Sequence, residues 1–328
     1  MDIDVTALAA LVRDRELSWD LVIGSIEDAL LVAYQQREGS AERARAQVDR
    51  ATGHVTIWAT EPSEDLLVPG VEYDDTPQYF GRIAAATARQ VLSARLREAE
   101  GDVTFGEFAA REGEIVSGVV QKAQDPRVIR VDLGKLEGML PLAEQVPGEA
   151  YEHGDRLKCF VVAVRRGPRG PQVMLSRSHP GLVKGLFSLE VPEIADGTVD
   201  ITAIAREAGH RTKIAVRANT AGVNPKGACI GPMGQRVRAI MGELNGEKID
   251  IVDHSDDPAE MVAHALSPAR VTSVEVVDLE ARSARVLVPD YQLSLAIGRE
   301  GQNARLAARM TGWRIDIRSD DQPGDETQ

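Results

Sequence analysis

At 328 residues the chain is too long for one small core, so two to four domains are expected. A hydrophobic content of 43% is ordinary for globular folds, while an aromatic content of 4% excludes any large binding surface built from stacked rings. The formal charge of −13 argues against a polyanionic partner for the chain as a whole.

That charge is uneven. Residues 1–112 carry 11 basic and 21 acidic side chains, residues 113–176 carry 9 and 8, and residues 177–318 carry 18 of each. The tail SDDQPGDETQ is acidic again. A polyanion is therefore expected to dock on the middle and C-terminal parts and to be repelled by both ends.

No apolar run approaches the length of a membrane span, and MDIDVTALAALVRDRELSWD lacks the basic-then-apolar order of a signal peptide. Cys159 and Cys229 stand far apart with no CxxC, as expected of two reduced, buried thiols in a cytoplasm. The six histidines form no HxH or HExxH pair, so no metal, no cofactor and no zinc catalysis is expected.

The head reads as mixed α/β. Trp19, Val22, Ile23, Ile26, Leu30 and Ala33 recur at helical spacing behind a capping Ser18. HVTIWAT (54–60) reads as a strand. Thr76-Pro77 reads as a cap and first helical position opening a long helix through RIAAATARQVLSARLREAE.

From Glu112 the texture changes to short β-rich runs: EGEIVSGVVQKA, VIRVDLG, LEGMLP, DRLKCFVVAVRR and PQVMLSRS. Five such segments, separated by Gly, Pro and charged turns, predict a small closed barrel of the oligonucleotide-binding kind. Lys122, Arg127, Arg130, Lys158, Arg165 and Arg166 offer a basic groove, or simply a solvated surface, while Tyr151 and Phe160 are the only aromatics there. A weak grip on a nucleic-acid backbone is expected rather than base recognition.

Residues 229–238, CIGPMGQRVR, return sixty-seven positions later as AIGREGQNAR, residues 296–305. Each copy follows a strand (KIAVRAN; RVLVPDY) and a short helix, and leads to a second helix and a final strand (KIDIVD; RIDIRS). One GxxG turn is most simply a tight corner between helices. Two copies with matching Gln and Arg flanks point instead to a phosphate seat, because glycine exposes backbone N–H groups and the following helix dipole favours an anion. GxxxxGK[ST] and GxGxxG after a strand are both absent, which removes the usual nucleotide sites.

The doubled unit resembles the KH domain in its bacterial, type II arrangement, whose GxxG loop clamps about four single-stranded nucleotides. The resemblance assigns RNA contacts to Gly231, Pro232, Met233 and Gly234 with Lys226, Gln235, Arg236 and Arg238 in the first copy. In the second it assigns Gly298, Arg299, Glu300 and Gly301 with Gln302, Asn303 and Arg305. Pro232 removes one donor and Glu300 partly cancels Arg299, so modest affinity per unit is expected, with avidity supplied by several units on one strand.

The order of parts, together with GRIAAATARQV (81–91), EGEIVSGVV (112–120), RSHPGLVKGLFSLEVPEI (177–194), KGACIGPMGQRV (226–237), GEKIDIV (246–252) and SLAIGREGQNARLAA (294–308), resembles the NusA family of bacterial transcription termination and antitermination factors in its actinobacterial form. The implied architecture is multidomain, α/β and β: an α/β N-terminal polymerase-binding domain at 1–108, an S1-type OB β-barrel at 109–178, tandem type II KH domains (α+β) at 179–255 and 256–319, and an acidic disordered tail at 320–328. The implied role is non-enzymatic. The head would dock on RNA polymerase, with exposed parts of the helices around 18–37 and 77–100 as candidates, and the rest would hold nascent single-stranded RNA. Other Nus-type factors would join a monomeric, cytoplasmic protein with no membrane partner.

Two rivals stay open on the residues alone. Phosphorolytic exoribonucleases also join S1 and KH modules, but the head has no histidine–carboxylate cluster, and its adjacent acids Glu64-Asp65 and Asp74-Asp75 read as loop. A ribosome-associated RNA-binding protein is the other.

Overall fold

A computed structural model describes residues 3–14, 18–37, 39–61, 70–78, 80–122, 127–167 and 170–321. The expected loop at Glu64-Asp65 and most of the expected acidic tail lie outside the described residues. The chain divides into two compact units, Met1–Glu107 with Arg166–Pro171, and Phe108–Arg165 with Gln172–Gln328.

The first unit opens with α1 (Val5–Asp14) and α2 (Trp19–Gln35), followed by β1 (Ala44–Val48), β2 (Val55–Thr60) and β3 (Glu72–Asp74); α3 (Phe80–Ala109) then leads out of it. Ser18 caps α2 by accepting from the Leu21 N–H, satisfying one of the donors a helix start leaves open. The predicted stripe Val22, Ile23, Ile26 and Leu30 is buried, joined by Tyr34, against Val48, Val55 and Ile57 of the antiparallel β1-β2-β3 sheet. The Tyr34 hydroxyl accepts from the Ala41 N–H and donates to Asp75, tying the helix end to two loops.

One expectation is corrected here. Thr76 does not cap α3, which starts only at Phe80 and runs on to Ala109. Its hydroxyl accepts from the Ile57 N–H (2.9 Å) and donates to Asp74, so the residue fastens the sheet instead. A cap-like dipeptide and a sheet-edge anchor look alike in sequence because the same short side chain serves both.

β4 (Ile115–Gln121), β5 (Val128–Asp132), β6 (Glu137–Pro141), β7 (Arg156–Gly167) and β8 (Gly170–Ser176), in the second unit but for the adjoining ends of β7 and β8, close a barrel in the order β4-β5-β6-β8-β7. The β4–β5, β4–β7 and β5–β6 pairings are antiparallel and the β6–β8 pairing is parallel. All five predicted strands are present, and alternate residues such as Val116, Val120, Val131, Leu140, Val161 and Val173 fill the interior.

The two repeats then follow. The first is α4 (Pro180–Glu190), α5 (Pro192–Ala195), β9 (Val199–Glu207), β10 (Arg211–Ala218), α6 (Pro225–Ile230), α7 (Gln235–Glu243) and β11 (Lys248–Asp253). The second is α8 (Pro258–Ala265), β12 (Ser273–Asp278), β13 (Ser283–Val288), α9 (Asp290–Ile297), α10 (Gln302–Thr311) and β14 (Arg314–Ser319). In each, the middle strand pairs antiparallel with the strand before it and parallel with the last, which is the type II KH order.

Barrel and repeats are welded together. On one face of the first repeat's sheet, Ile214 and Val216 pack under α4, α6 and α7, and Ile115 and Phe160 of the barrel lie against the same cluster. On the opposite face, Ala205, Ala215 and Val252 share one continuous core with Met261, Val262, Ala265 and Leu266 of α8 and its C-terminal end, and with Leu306, Ala307 and Met310 of α10. At the barrel junction the fully buried Arg177 pairs with Glu149, donates to the carbonyls of Lys158 and Glu243 (both 2.9 Å), and lies near the Glu243 carboxylate. Burial drives the Cys159 thiol beside it up to about 12, so the thiol stays protonated and inert.

Arg177→Ala leaves Glu149 as an uncompensated buried charge and is expected to cost about 3 kcal/mol. Urea unfolding followed through the second unit should show the shift, and an unchanged midpoint would contradict the burial of this pair.

Candidate nucleic-acid interface

The two glycine corners have the same backbone. The first runs Gly231 (φ 73, ψ 173), Pro232, Met233 (φ 52, ψ 21), Gly234 (φ 75, ψ 19). The second runs Gly298 (φ 77, ψ 170), Arg299, Glu300 (φ 53, ψ 27), Gly301 (φ 73, ψ 12). Glycine is required at the leading position. Its dihedrals lie where only glycine is comfortable, and a Cβ would stand 2.6 Å from Arg236 Cγ at Gly231 or 2.8 Å from the Asn303 backbone at Gly298. Met233 and Glu300 are left-handed without being glycine, at about 1–2 kcal/mol each. Strain of that size, repeated at the same place, is typical of ligand clamps.

The corners are open to solvent, with Met233 90% exposed. Their amides are less available than the sequence implies. Within the first turn the Gly231, Gly234 and Gln235 N–H groups donate to the carbonyls of Gly227, Gly231 and Pro232. In the second, Gly298, Gly301 and Gln302 donate to Ser294, Gly298 and Arg299. With Pro232 lacking a donor, Met233 N–H in one corner and Arg299 and Glu300 N–H in the other are left without an acceptor among the described residues. The expected row of free amides is thus corrected to one or two per corner.

Several predicted side chains face inward. Arg236 folds beneath the first corner, donating to Ala228 O (2.7 Å) and Glu193 (2.8 Å). Asn303, at the matching position, is 3% exposed and donates to Leu266 O (2.9 Å) and Ala296 O (3.0 Å). Both pin the last turn of the preceding helix, a structural role that sequence reading did not assign them. Gln302 and Arg305 are also engaged: their donors converge on Glu207, at the end of β9 in the first repeat.

Other cations remain at the surface. Arg238 is exposed, with its guanidinium beside Gly234 and no carboxylate paired to it among the described residues. Lys226 pairs loosely with Asp253 (3.3 Å), and Arg299 lies 3.8 Å from Glu300 with both side chains in solvent. Gln235 is exposed. On the barrel, Lys122, Arg127 and Arg165 are exposed, and Arg130 forms an exposed pair with Glu137. Lys158 places its ammonium against Glu243 (2.8 Å) at the junction.

Phe160 stacks on His179 at 4.4 Å, and the Tyr151 hydroxyl donates to Glu149. Sequence reading missed exposed apolar side chains beside the corners: Ile230 and Ile297, at equivalent positions just before the leading glycines, and Tyr291 and Leu295 along α9. The signal available was an apolar residue repeated where the turn itself leaves no core to enter. Among the described residues no cluster of His, Cys, Asp or Glu could hold a metal ion.

The Arg305 guanidinium, with Gln302 and Arg309, holds the Glu207 carboxyl down to about 2. A depressed carboxyl contributes stability that is complete above the ordinary glutamate range and fades as pH falls through it toward 2. Protection of α10 amides, taken relative to the intrinsic exchange rate at each pH, should therefore hold at pH 5 and fall between roughly pH 4.5 and 2; protection already lost at pH 5 would contradict the pairing. For the corners, Gly298→Ala should cost about 1–3 kcal/mol. Gly301→Ala, where a Cβ meets nothing, should cost only about 1 kcal/mol. Equal losses in thermal melts would contradict the geometry.

Residues 5–64 match the NusA N-terminal domain, residues 177–254 the NusA-like first KH domain and residues 258–324 the NusA-like second KH domain. The transcription termination/antitermination protein NusA of Mycobacterium tuberculosis is 60% identical over 332 residues, covering 98% of this chain and 95% of that one. Its namesake in Bacillus subtilis is 47% identical, covering 96% and 90%. The protein of the same name in Thermus thermophilus is 36% identical, covering 95% and 88%. With matches of this order along nearly its whole length, the chain belongs to the NusA family.

Proposed function

We propose that the chain is a transcription termination and antitermination factor that acts by binding and not by catalysis. The head docks on RNA polymerase near the emerging transcript, with other Nus-type factors as further partners. The barrel and both corners hold nascent single-stranded RNA, tuning pausing, hairpin termination and antitermination. A cytoplasmic monomer suits that role. The observation that carries the reading is the corner built twice with one backbone geometry, strained and open in both copies.

Each corner offers few donors, so a phosphate there is held by one or two amides and a nearby cation such as Arg238 or Arg299. Ile230 and Met233, or Leu295 and Ile297, provide apolar surface against which a base can rest. Such contacts are weak singly. Useful affinity comes from one strand engaging several of them at once, through effective concentration. The acidic head, with nearly twice as many acidic as basic residues, repels RNA and is left for protein docking.

Replacing Pro232-Met233 and Arg299-Glu300 by paired aspartates should weaken binding of an unstructured RNA in both variants without unfolding the protein. Arg238→Ala should weaken it about equally for all sequences and reduce the slope of log affinity against log salt by about 1. Undiminished RNA affinity in both doubly substituted proteins would remove the corners from the binding surface.

A further inference from the structure

The matching arginines of the two corners do different work. Arg238 has no carboxylate partner among the described residues, whereas Arg305 uses its whole guanidinium. Its Nε and Nη2 donate to Glu207 at 2.5 and 3.1 Å, and its Nη1 donates to the carbonyl of Glu300 at 3.1 Å. Glu207 ends β9 in the first repeat, and Glu300 is the left-handed residue of the second corner. Gln302 Nε2 reaches the same carboxylate at 2.9 Å, and Arg309 lies 3.7 Å from it. A continuous polar link thus runs from one repeat's sheet to the other repeat's corner. The shared apolar core fixes the body of α10 through Leu306, Ala307 and Met310. It does not reach the rim of the corner, where Arg299 and Glu300 stand in solvent.

We propose that Glu207 is a positioning residue for RNA binding: it holds Arg305 as a strut against the Glu300 carbonyl, so that the second corner meets a strand at a fixed place relative to the first repeat. Gln302 and Arg305 then act through the protein and do not touch RNA. The proposal rests on the RNA-binding reading above and says which of its residues set geometry. Its consequence is specific to long ligands. A strand that fills one corner needs no register between repeats, while a strand that fills both gains only if their separation is held. The contrary physical reading is that Glu207 is merely a negative charge near the path of the phosphates. Removing it would then tighten every RNA alike.

The test uses the full chain as wild type, as Glu207→Gln and as Arg305→Ala, which removes the strut from its other end, with unstructured RNA in two lengths. The short one has about four nucleotides, what one KH unit clamps, and the other is several times longer. The readout is the ratio of long-strand to short-strand affinity, with far-ultraviolet circular dichroism and thermal melts recording the fold. Glu207→Gln should cut that ratio roughly five- to tenfold while short-strand affinity stays within about twofold. Arg305→Ala should cut the ratio by a similar factor and likewise leave short-strand affinity within about twofold, because the side chain acts through the Glu300 carbonyl and not on RNA. An unchanged ratio in Glu207→Gln, equal tightening of both strands, or an Arg305→Ala protein that weakens short and long strands alike would overturn the strut. A wild type that binds neither strand would overturn the RNA-binding reading itself, and the strut with it.

Discussion

The second unit depends on a sheet that is used on both sides. β10 turns Ile214 and Val216 to its own helices and Ala215 to the helices of the next repeat. Alternation along a strand makes this possible, since successive side chains point to opposite faces. The outward positions are small, Ala205 and Ala215, so α8 and α10 approach the sheet closely and bury Leu306, Ala307 and Met310. On that face of β10 Lys213 is buried and salt-bridged to Asp250, and donates to the carbonyl of Ser267 in the second repeat. Desolvation pulls that ammonium below the ordinary lysine range, and the adjacent carboxylate opposes the pull. Two repeats joined in this way form one body, which gives their corners a defined relation.

As proposed phosphate seats, the corners rely little on the number of their donors. Most of the amides close the turn itself, and the strain at Met233 and Glu300 is met by the packing of Arg236 and Asn303 underneath. What the turn provides outward is shape: a bare backbone, one or two N–H groups, and cations at the rim. Weak sites on a rigid frame can discriminate by spacing, because only a strand that reaches several of them recovers the ordering cost of any one.

Charge follows the same division. The repeats carry equal numbers of acidic and basic side chains, yet these are not spread evenly through the fold. Glu149, Glu207, Glu243, Glu247 and Asp250 take up Arg177, Arg305, Lys158, Arg206, Arg211 and Lys213 in joints and interiors. Arg238 is left beside the first corner with no carboxylate partner among the described residues, and Arg299 at the second faces its neighbour Glu300 at 3.8 Å. A neutral segment can thus present a locally positive edge, because its carboxylates are committed to holding its parts together.

Much of this was legible in the residues. The amphipathic stripe of α2, the five barrel strands and the doubled corner each carry a local signal: a period, a turn residue, a glycine with no substitute. The division of labour among the flanking side chains did not. Gln-x-x-Arg reads alike in both copies, yet Arg238 lies open while Arg305 is spent on Glu207, ninety-eight residues away in the chain. Arg236 and Asn303, adjacent to the corner in sequence, turn beneath it because the helix that begins there points them inward. Thr76 likewise serves a sheet that its neighbours do not announce. Backbone conformation at a glycine turn follows from steric limits on a few adjacent residues, so the sequence alone determined the corners and the order of modules. Which cation meets which carboxylate follows from distances closed only when separate repeats pack, and that the tertiary structure decided.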